Sequence, residues 1–270
     1  MDWGKIKAIF IIAFLVLDVF LLTQLQVKRE QYEVSTNTTA TLAENLKADG
    51  VEYDELSEET VMDHYLSANT KTFTKEMFKD LKDQEIQLND GTAIHSQLAK
   101  PFLLESFEDP EALNEFVQEN VVNGEQYAFW GYDEEDDSII YFQEAEEDKF
   151  IFMNQSAQLT FHLNDDGAVV SYDQTMLDPI EPINDEEDEV LAPIRAIEAL
   201  YHRGALTDSK IVGKVKLGYY TLVNMEATQV LTPTWHVIVE KDGERMDMLV
   251  NAYEGNVIQG KPDKEKTLLE

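Results

Sequence analysis

The sequence contains no cysteine in its 270 residues. A disulfide framework, a thiol nucleophile and a thiolate metal site are therefore all excluded. The fold must be held by a packed core instead, and the hydrophobic fraction of 43% is large enough to build one.

Basic residues are scarce as well. The chain has 21 Lys and Arg against 54 Asp and Glu, which gives a formal net charge of −33. Nucleic acid carries a dense negative charge of its own, so a protein that binds it needs a basic patch, and the sequence shows none. We therefore expect no nucleic-acid partner.

Recognisable reaction motifs are also missing. The sequence has no HExxH, GxSxG, P-loop or GxGxxG pattern, and no two of its five histidines lie at close metal spacing. Carboxylates are so numerous that their spacing says nothing about a catalytic pair. The sequence predicts no catalytic residue, no cofactor and no metal site. The missing motifs count against an enzyme, although catalysis without a recognisable motif stays open at this point.

One long hydrophobic run is present, and it lies near the N-terminus. Residues 6–27 read IKAIFIIAFLVLDVFLLTQLQV. As a helix they would be about 33 Å long, which matches the hydrocarbon core of a bilayer at about 30 Å. Asp18 near the centre opposes membrane insertion by roughly 2.5–3.5 kcal/mol, whereas the fifteen Leu, Ile, Phe and Val residues together favour insertion by roughly 4.5–9 kcal/mol. The sequence predicts a transmembrane helix.

A cleaved signal peptide is the alternative interpretation of this run. It would need a small-x-small cleavage site after the apolar region, but the sequence continues as TQLQVKRE. The retained anchor is favoured. In this interpretation the chain crosses the cell membrane once, with its N-terminus in the cytoplasm and the bulk of the chain outside. A secreted binding domain with a removed leader remains the other possibility.

Asp18 is either a tolerated polar residue or part of a contact between helices. Carboxyl groups inside membranes usually face protein, where a donor satisfies them. Helical spacing places Asp18 on one face with six apolar residues, which together form the predicted contact with a partner span. The contact residues are Ile11, Phe14, Leu15, Asp18, Leu21, Leu22 and Leu25.

The rest of the chain predicts an α+β fold. A helix followed by strands is indicated over 110–178, and the same order recurs over 189–259, so we expect two small helix-plus-antiparallel-sheet subdomains. Asp90-Gly91 and Asn164–Gly167 predict hairpin turns. The predicted organisation is a cytoplasmic tip at 1–5, the transmembrane helix at 6–27, a stalk helix at 28–50, a first subdomain at 51–178, an acidic linker at 179–190, a second subdomain at 191–260 and a flexible tail at 261–270.

The opening MDWGKIKAIFIIAFLVLDVFLL resembles the start of the YycI (WalI) family. The short MDW opening, the lysines and an aspartate in the span close to FLL carry this resemblance. The stretch PTWHVIVEKDGERMDMLVNAYEGNVI near the other end also looks alike, and its pattern is similar to peptidase-propeptide-like (PepSY-like) folds.

The resemblance implies a membrane-anchored regulator and not an enzyme. It implies that the protein works with a YycH-like partner and adjusts an essential cell-wall sensor histidine kinase, YycG (WalK), through transmembrane and extracytoplasmic contacts. Inhibition is the expected direction. The PepSY-like pattern leaves an alternative, an extracytoplasmic envelope enzyme or a protease-inhibitor-like binding module.

Overall fold

The structure is a computed structural model that describes residues 3–32, 38–53, 57–104, 106, 111–133, 136–146, 148–184, 186–224 and 228–259. The chain forms two compact units, Met1–Gly50 and Val51–Glu270. The fold is α+β, with four α-helices and mostly antiparallel sheets among the described residues, which confirms the predicted class.

The first unit contains two helices, α1 (Trp3–Tyr32) and α2 (Thr38–Ala48). The predicted transmembrane segment 6–27 lies entirely inside α1. The predicted stalk over 28–50 includes the end of α1 and all of α2, while residues 33–37 lie outside the described part. Gly50 follows α2 with a φ of +72°, a conformation that suits glycine and ends the helix as the sequence indicates.

The second unit is built from strands, with two α-helices and two short 3-10 turns among its described residues. Its helices are α3 (Glu111–Asn120) and α4 (Pro193–His202). Its strands are β1 (Val61–Asp63), β2 (Leu66–Thr70), β3 (Gln84–Asn89), β4 (Ala93–Leu103), β5 (Tyr127–Asp133), β6 (Ser138–Glu146), β7 (Lys149–Phe150), β8 (Gln158–Leu163), β9 (Ala168–Thr175), β10 (Leu177–Pro182), β11 (Asp188–Val190), β12 (Lys210–Asn224), β13 (Thr228–Lys241), β14 (Glu244–Asn251) and β15 (Val257–Gln259).

The larger sheet has seven strands in the order β3-β4-β9-β8-β6-β5, and β7 pairs with β6. Alternating buried side chains of these strands form the main core together with Leu113 and Val117 of α3. This alternation is the two-residue period of a β-strand. Ile139, Leu159, Phe161 and Tyr172 are completely enclosed there.

The second sheet has six strands. Its order is β10-β2-β13-β14-β15, and β12 pairs with β13. Helix α4 contacts β13 and β14, with Ile197 and Leu200 fully buried. Pro193 occupies the first turn of α4, where its missing N–H costs nothing. A separate two-stranded sheet pairs β1 with β11.

Sheet membership does not follow the chain order that the two predicted subdomains imply. Strand β2 comes early in the predicted first subdomain, 51–178, yet it pairs with β13 in the second sheet. Strand β10 then pairs with β2. The residue bounds 51–178 and 191–260 stay a prediction, but the second sheet includes β2, which precedes every strand of the larger sheet.

The acidic segment 179–190 differs from the predicted solvated linker, because β10 and β11 occupy most of it. Composition misled here for a physical reason. Strand β10 is an edge strand, which tolerates Pro179 and Pro182 because its outer N–H groups need no ladder partner. Val190 is fully buried, although the residues before it are acidic.

The predicted hairpins at Asp90-Gly91 and Asn164–Gly167 are confirmed. Asp90 and Gly91 both have positive φ, 49° and 76°, between β3 and β4. In the second turn the Asn164 side chain accepts a hydrogen bond from the Ala168 N–H at 2.9 Å. These turns depend on local backbone preferences, which a sequence pattern reports well.

Gly218 lies on β12 where this strand passes close to Phe150 and Phe152. Strand β12 passes Phe150–Phe152 so tightly that the Phe152 N–H donates to the Tyr219 carbonyl at 2.8 Å. A Cβ atom placed on Gly218 would lie 2.5 Å from the Phe150 carbonyl oxygen and 2.6 Å from the Phe152 ring. The backbone can come this close only because residue 218 has no side chain.

We expect Gly218→Ala to lower the free energy of unfolding by about 1–3 kcal/mol, because the added methyl group must displace backbone as well as an aromatic ring. Urea denaturation of the full chain, followed by tryptophan fluorescence, measures the change. Gly131→Ala in β5 is the matched control, since its Cβ would meet no atom within 4 Å. Equal effects of the two substitutions would contradict the packing argument.

Candidate functional site

The predicted contact face lies on α1, and its side chains are exposed. Every side chain from Phe10 to Gln24 is exposed, and the large apolar ones among them show 48 to 65% of their surface. Ile11, Phe14, Leu15, Leu21 and Leu22 are all in this group. The backbone of Leu25 belongs to α1, but its side chain lies outside the described part of the structure.

Asp18 is exposed in the middle of this apolar surface. Within the described residues, no hydrogen bond or ion pair involves its carboxyl group. By contrast Thr23, five residues further on, satisfies its own hydroxyl by donating to the Phe20 carbonyl at 2.7 Å. Asp18 therefore has acceptor capacity that its own helix leaves unused.

Near the start of α1 the Lys7 ammonium lies 5.3 Å from the centre of the Trp3 ring, a cation–π contact. Among the residues that the structure describes, no helix carries an apolar stretch long enough to cross a bilayer.

A second cluster, which the sequence did not reveal, surrounds Asp63 in the other unit. The Asp63 side chain is completely buried. Its Oδ1 accepts hydrogen bonds from the Tyr219 hydroxyl at 2.7 Å and from the His64 N–H at 2.8 Å, and its Oδ2 pairs with Lys149 Nζ at 3.0 Å. The Tyr253 hydroxyl donates to the Asp63 carbonyl at 2.6 Å.

The groups in the Asp63 cluster shift one another's pKa values. Burial opposes the charged form of Lys149, but hydrogen bonds to Glu146 and Asp63 outweigh it, so the pKa of Lys149 is raised. Burial and the adjacent Asp63 carboxylate raise the pKa of Tyr219 far above its usual value. Tyr219 therefore stays protonated and acts as a donor, and Lys149 stays charged.

Sequence reasoning missed this cluster because its members are far apart in the chain. Lys149 is 86 residues from Asp63, and Tyr219 is 156 residues away. The single local signal is an aspartate inside the apolar pattern VMDHYL. Such a residue in a strand indicates a buried polar partner without naming it.

Two histidines and an aspartate meet on the open side of the larger sheet. Asp173 Oδ1 lies 2.8 Å from His95 Nδ1, and Asp173 Oδ2 lies 2.7 Å from His162 Nε2. All three side chains are between about a third and a half exposed. Among the described residues, no group of three or more His, Asp or Glu side chains is arranged to hold a metal ion. His95, His162 and Asp173 form a hydrogen-bonded network across three strands.

His236 is buried within the second sheet. It lies on β13, which has neighbours on both sides, and only 2% of its side chain is exposed. Its Nε2 pairs with Asp247 at 2.7 Å, and its ring contacts Trp130 and Phe152.

Comparison with protein families gives one decisive result. The model of the YycI protein family matches residues 29–253, which is most of the chain. The chain belongs to the YycI family. This is a regulatory family of the YycFG two-component system, and the resemblance seen in the sequence is thereby confirmed.

The match begins after most of α1 and covers nearly all of the second unit. No curated protein sequence matches this YycI chain. Among solved structures, an uncharacterized protein from Eubacterium rectale ATCC 33656 is similar, with a TM-score of 0.44 and 11% identity over 78% of this chain and 89% of that one.

We expect Asp63→Ala to lower the free energy of unfolding by about 3–5 kcal/mol, because Lys149 and Tyr219 lose the carboxylate that satisfies them. Urea denaturation of the full chain measures the loss. Asp188→Ala is the control, since Asp188 lies opposite Asp63 in the same small sheet but is exposed. A change below about 1 kcal/mol for Asp63→Ala would show that the cluster stabilises nothing.

The Asp173 network predicts a pH dependence. Burial opposes ionisation of Asp173, but hydrogen bonds from His162 and His95 outweigh it and lower its pKa. A lowered pKa in the folded state adds stability above the unfolded value, near pH 4, and that stability disappears as the pH falls through the folded value. Because Asp173 is half exposed, the effect should stay below about 1 kcal/mol.

The measurement is the melting temperature of wild type and Asp173→Asn between about pH 6 and pH 3. The difference in melting temperature between the two proteins should be largest near pH 6 and should vanish near pH 3. Asp165→Asn, at an exposed turn position, should show no such trend. A difference in melting temperature that grows as the pH falls would contradict the lowered pKa of Asp173.

Proposed function

We propose that this YycI protein is a membrane-anchored regulatory subunit that lowers the activity of the sensor histidine kinase of the YycFG system, together with a YycH-like partner. The observation that carries the proposal is α1, a long helix whose apolar side chains from Phe10 to Leu22 are all exposed around one aspartate. Family membership supplies the signalling system in which such a helix would act.

An exposed apolar helix is costly in water, because each large side chain loses the free energy that burial would supply. Lipid removes that cost for the apolar side chains from Phe10 to Leu22. In this proposal residues 6–27 span the cell membrane, residues 28–50 connect to the folded unit, and that unit lies outside the cell. The N-terminus is cytoplasmic.

Lipid does not remove the cost of placing the Asp18 carboxyl group in the membrane. A carboxyl group at the centre of a span costs roughly 2.5–3.5 kcal/mol, and the described residues offer it no partner. A polar side chain on the span of a second protein removes part of that cost. The proposed contact uses the face of Ile11, Phe14, Leu15, Asp18, Leu21, Leu22 and Leu25.

Such a contact regulates a kinase only if it favours one of its states. A bound helix shifts the equilibrium between two arrangements of the kinase spans by the difference in its affinity for them. In the proposed mechanism Asp18 has its donor in the inactive arrangement, so binding lowers the activity. The folded outer unit contacts the kinase or the YycH-like partner outside the membrane.

The test is Asp18→Leu in the full chain, reconstituted with the kinase in lipid nanodiscs. A hydrogen bond between spans contributes about 1–2 kcal/mol, so association should weaken by about 5–30-fold. Co-purification and kinase autophosphorylation are the two measurements, and autophosphorylation should rise as association falls.

The matched control moves the aspartate and exchanges one valine for one leucine. In the double variant D18L/V16D the carboxyl group sits two residues earlier, on the opposite side of the helix. Hydrophobicity and charge of the span are nearly unchanged, yet the proposed face has lost its acceptor. Binding and inhibition equal to wild type in this variant would rule out the proposed contact.

A further inference from the structure

The outer unit contains an open groove of about 640 Å³ that the proposed function does not use. We name it the acidic groove, and it is lined by Met62, His64, Pro182, Asn184, Glu186 and Glu187. Its size lies within the range of sites that hold small ligands or a few residues of a peptide. All of its described walls belong to the second unit.

One wall of the acidic groove is held rigidly. Strand pleating puts Met62 and His64 on one side of the chain and Asp63 between them on the other side. Asp63 is fixed in the interior by Tyr219 and Lys149, so the residues beside it cannot move freely. The opposite wall is tied by the Ile183 N–H, which donates to the Tyr65 carbonyl at 2.9 Å.

The charge of the acidic groove is uncompensated. Glu186 and Glu187 line it, Asp188 and Glu189 follow directly, and all four side chains are exposed. No described basic side chain forms an ion pair with any of the four. Burial raises the pKa of Tyr253, and the charges of Asp63, Asp188 and Glu187 raise it further, so the negative field extends beyond the surface carboxylates.

The acidic groove also presents apolar surface. Half of the Met62 side chain is exposed in its wall, and Ile183, between the lining residues Pro182 and Asn184, is 53% exposed. His64 Nε2 is buried without a hydrogen-bond partner among the described residues and lies 3.6 Å from Glu146 Oε1. Apolar surface beside unpaired carboxylates suits a ligand that carries both an aliphatic chain and a positive charge.

The small sheet beside the acidic groove adds a backbone feature. Strands β1 and β11 pair only with each other among the described residues, so each has a second edge without a strand neighbour. An extended chain can hydrogen-bond to such an edge while alternate side chains enter an adjacent groove. A second copy of this protein is a poor occupant, because its own net charge of −33 opposes close approach.

We propose that the acidic groove is a docking surface for an extended segment of a partner protein that carries lysine or arginine next to aliphatic side chains. The cationic groups pair with Glu186 and Glu187, and an aliphatic side chain packs on Met62. This proposal does not depend on the role of α1. The contact should weaken as salt rises, because exposed carboxylates form most of it.

The test uses the full chain in nanodiscs and a fluorescent probe peptide of about seven residues that alternates lysine and leucine. Fluorescence anisotropy gives its affinity. E186Q/E187Q should weaken binding by about tenfold, and Met62→Gln by about threefold. The matched control is E111Q/E115Q on α3, which removes the same charge from exposed positions elsewhere and should change binding less than twofold.

A photo-crosslinking version of the probe locates its position on the wild-type protein, so the result does not depend on any variant folding. Crosslinks within 61–64 and 182–187 support the proposal. Crosslinks elsewhere, or equal weakening by the two double variants, overturn it by showing attraction to the overall charge alone. Loss of self-association in E186Q/E187Q without loss of probe binding overturns it in favour of a contact between copies.

Discussion

The buried carboxylate of Asp63 is the constraint on which the architecture of the second unit depends. A buried charge is tolerated only when its oxygens are satisfied, and here both oxygens have partners. Those partners come from β12 and from the start of β7, and the Asp63 carbonyl is bound by Tyr253 beyond β14. One side chain thus ties the small sheet to strands from both large sheets. The contacts of Asp63 with Tyr219 and Lys149 also hold the wall of the acidic groove formed by Met62 and His64.

Asp18 presents the same residue type in the opposite situation. Asp63 is enclosed and receives its donors from its own chain, whereas Asp18 is exposed among apolar side chains and, among the described residues, receives none. An enclosed and satisfied carboxylate stabilises the fold in which it lies. An unsatisfied one on an apolar helix gains free energy only from another molecule. This difference in environment, and not any difference in chemistry, is why one aspartate belongs to the architecture and the other is proposed as a contact.

The features that the sequence predicted well are local ones. Asp90-Gly91 produces its hairpin from backbone preferences of two residues, and the helix followed by strands that was expected over 189–259 is found as α4 and β12 to β15. The placement of β2 and β10 in the second sheet was not predictable, because strand pairing over more than a hundred residues leaves no local pattern. The same holds for Asp63 and its partners. Composition also failed at 179–190, where an acidic, proline-containing segment forms edge strands that need few apolar residues.

The two proposed contacts differ in their physical dependence, and this difference would matter for regulation. A contact between spans relies on packing and one hydrogen bond in lipid, where salt has little influence. The acidic groove relies on exposed carboxylates, whose attraction for a cation falls within a Debye length of about 8 Å at physiological salt. Two weak contacts on one chain reinforce each other, because the first raises the effective concentration of the second. If both proposed contacts form, ionic conditions around the groove would change the strength of the whole complex, while the span contact would determine which kinase is bound.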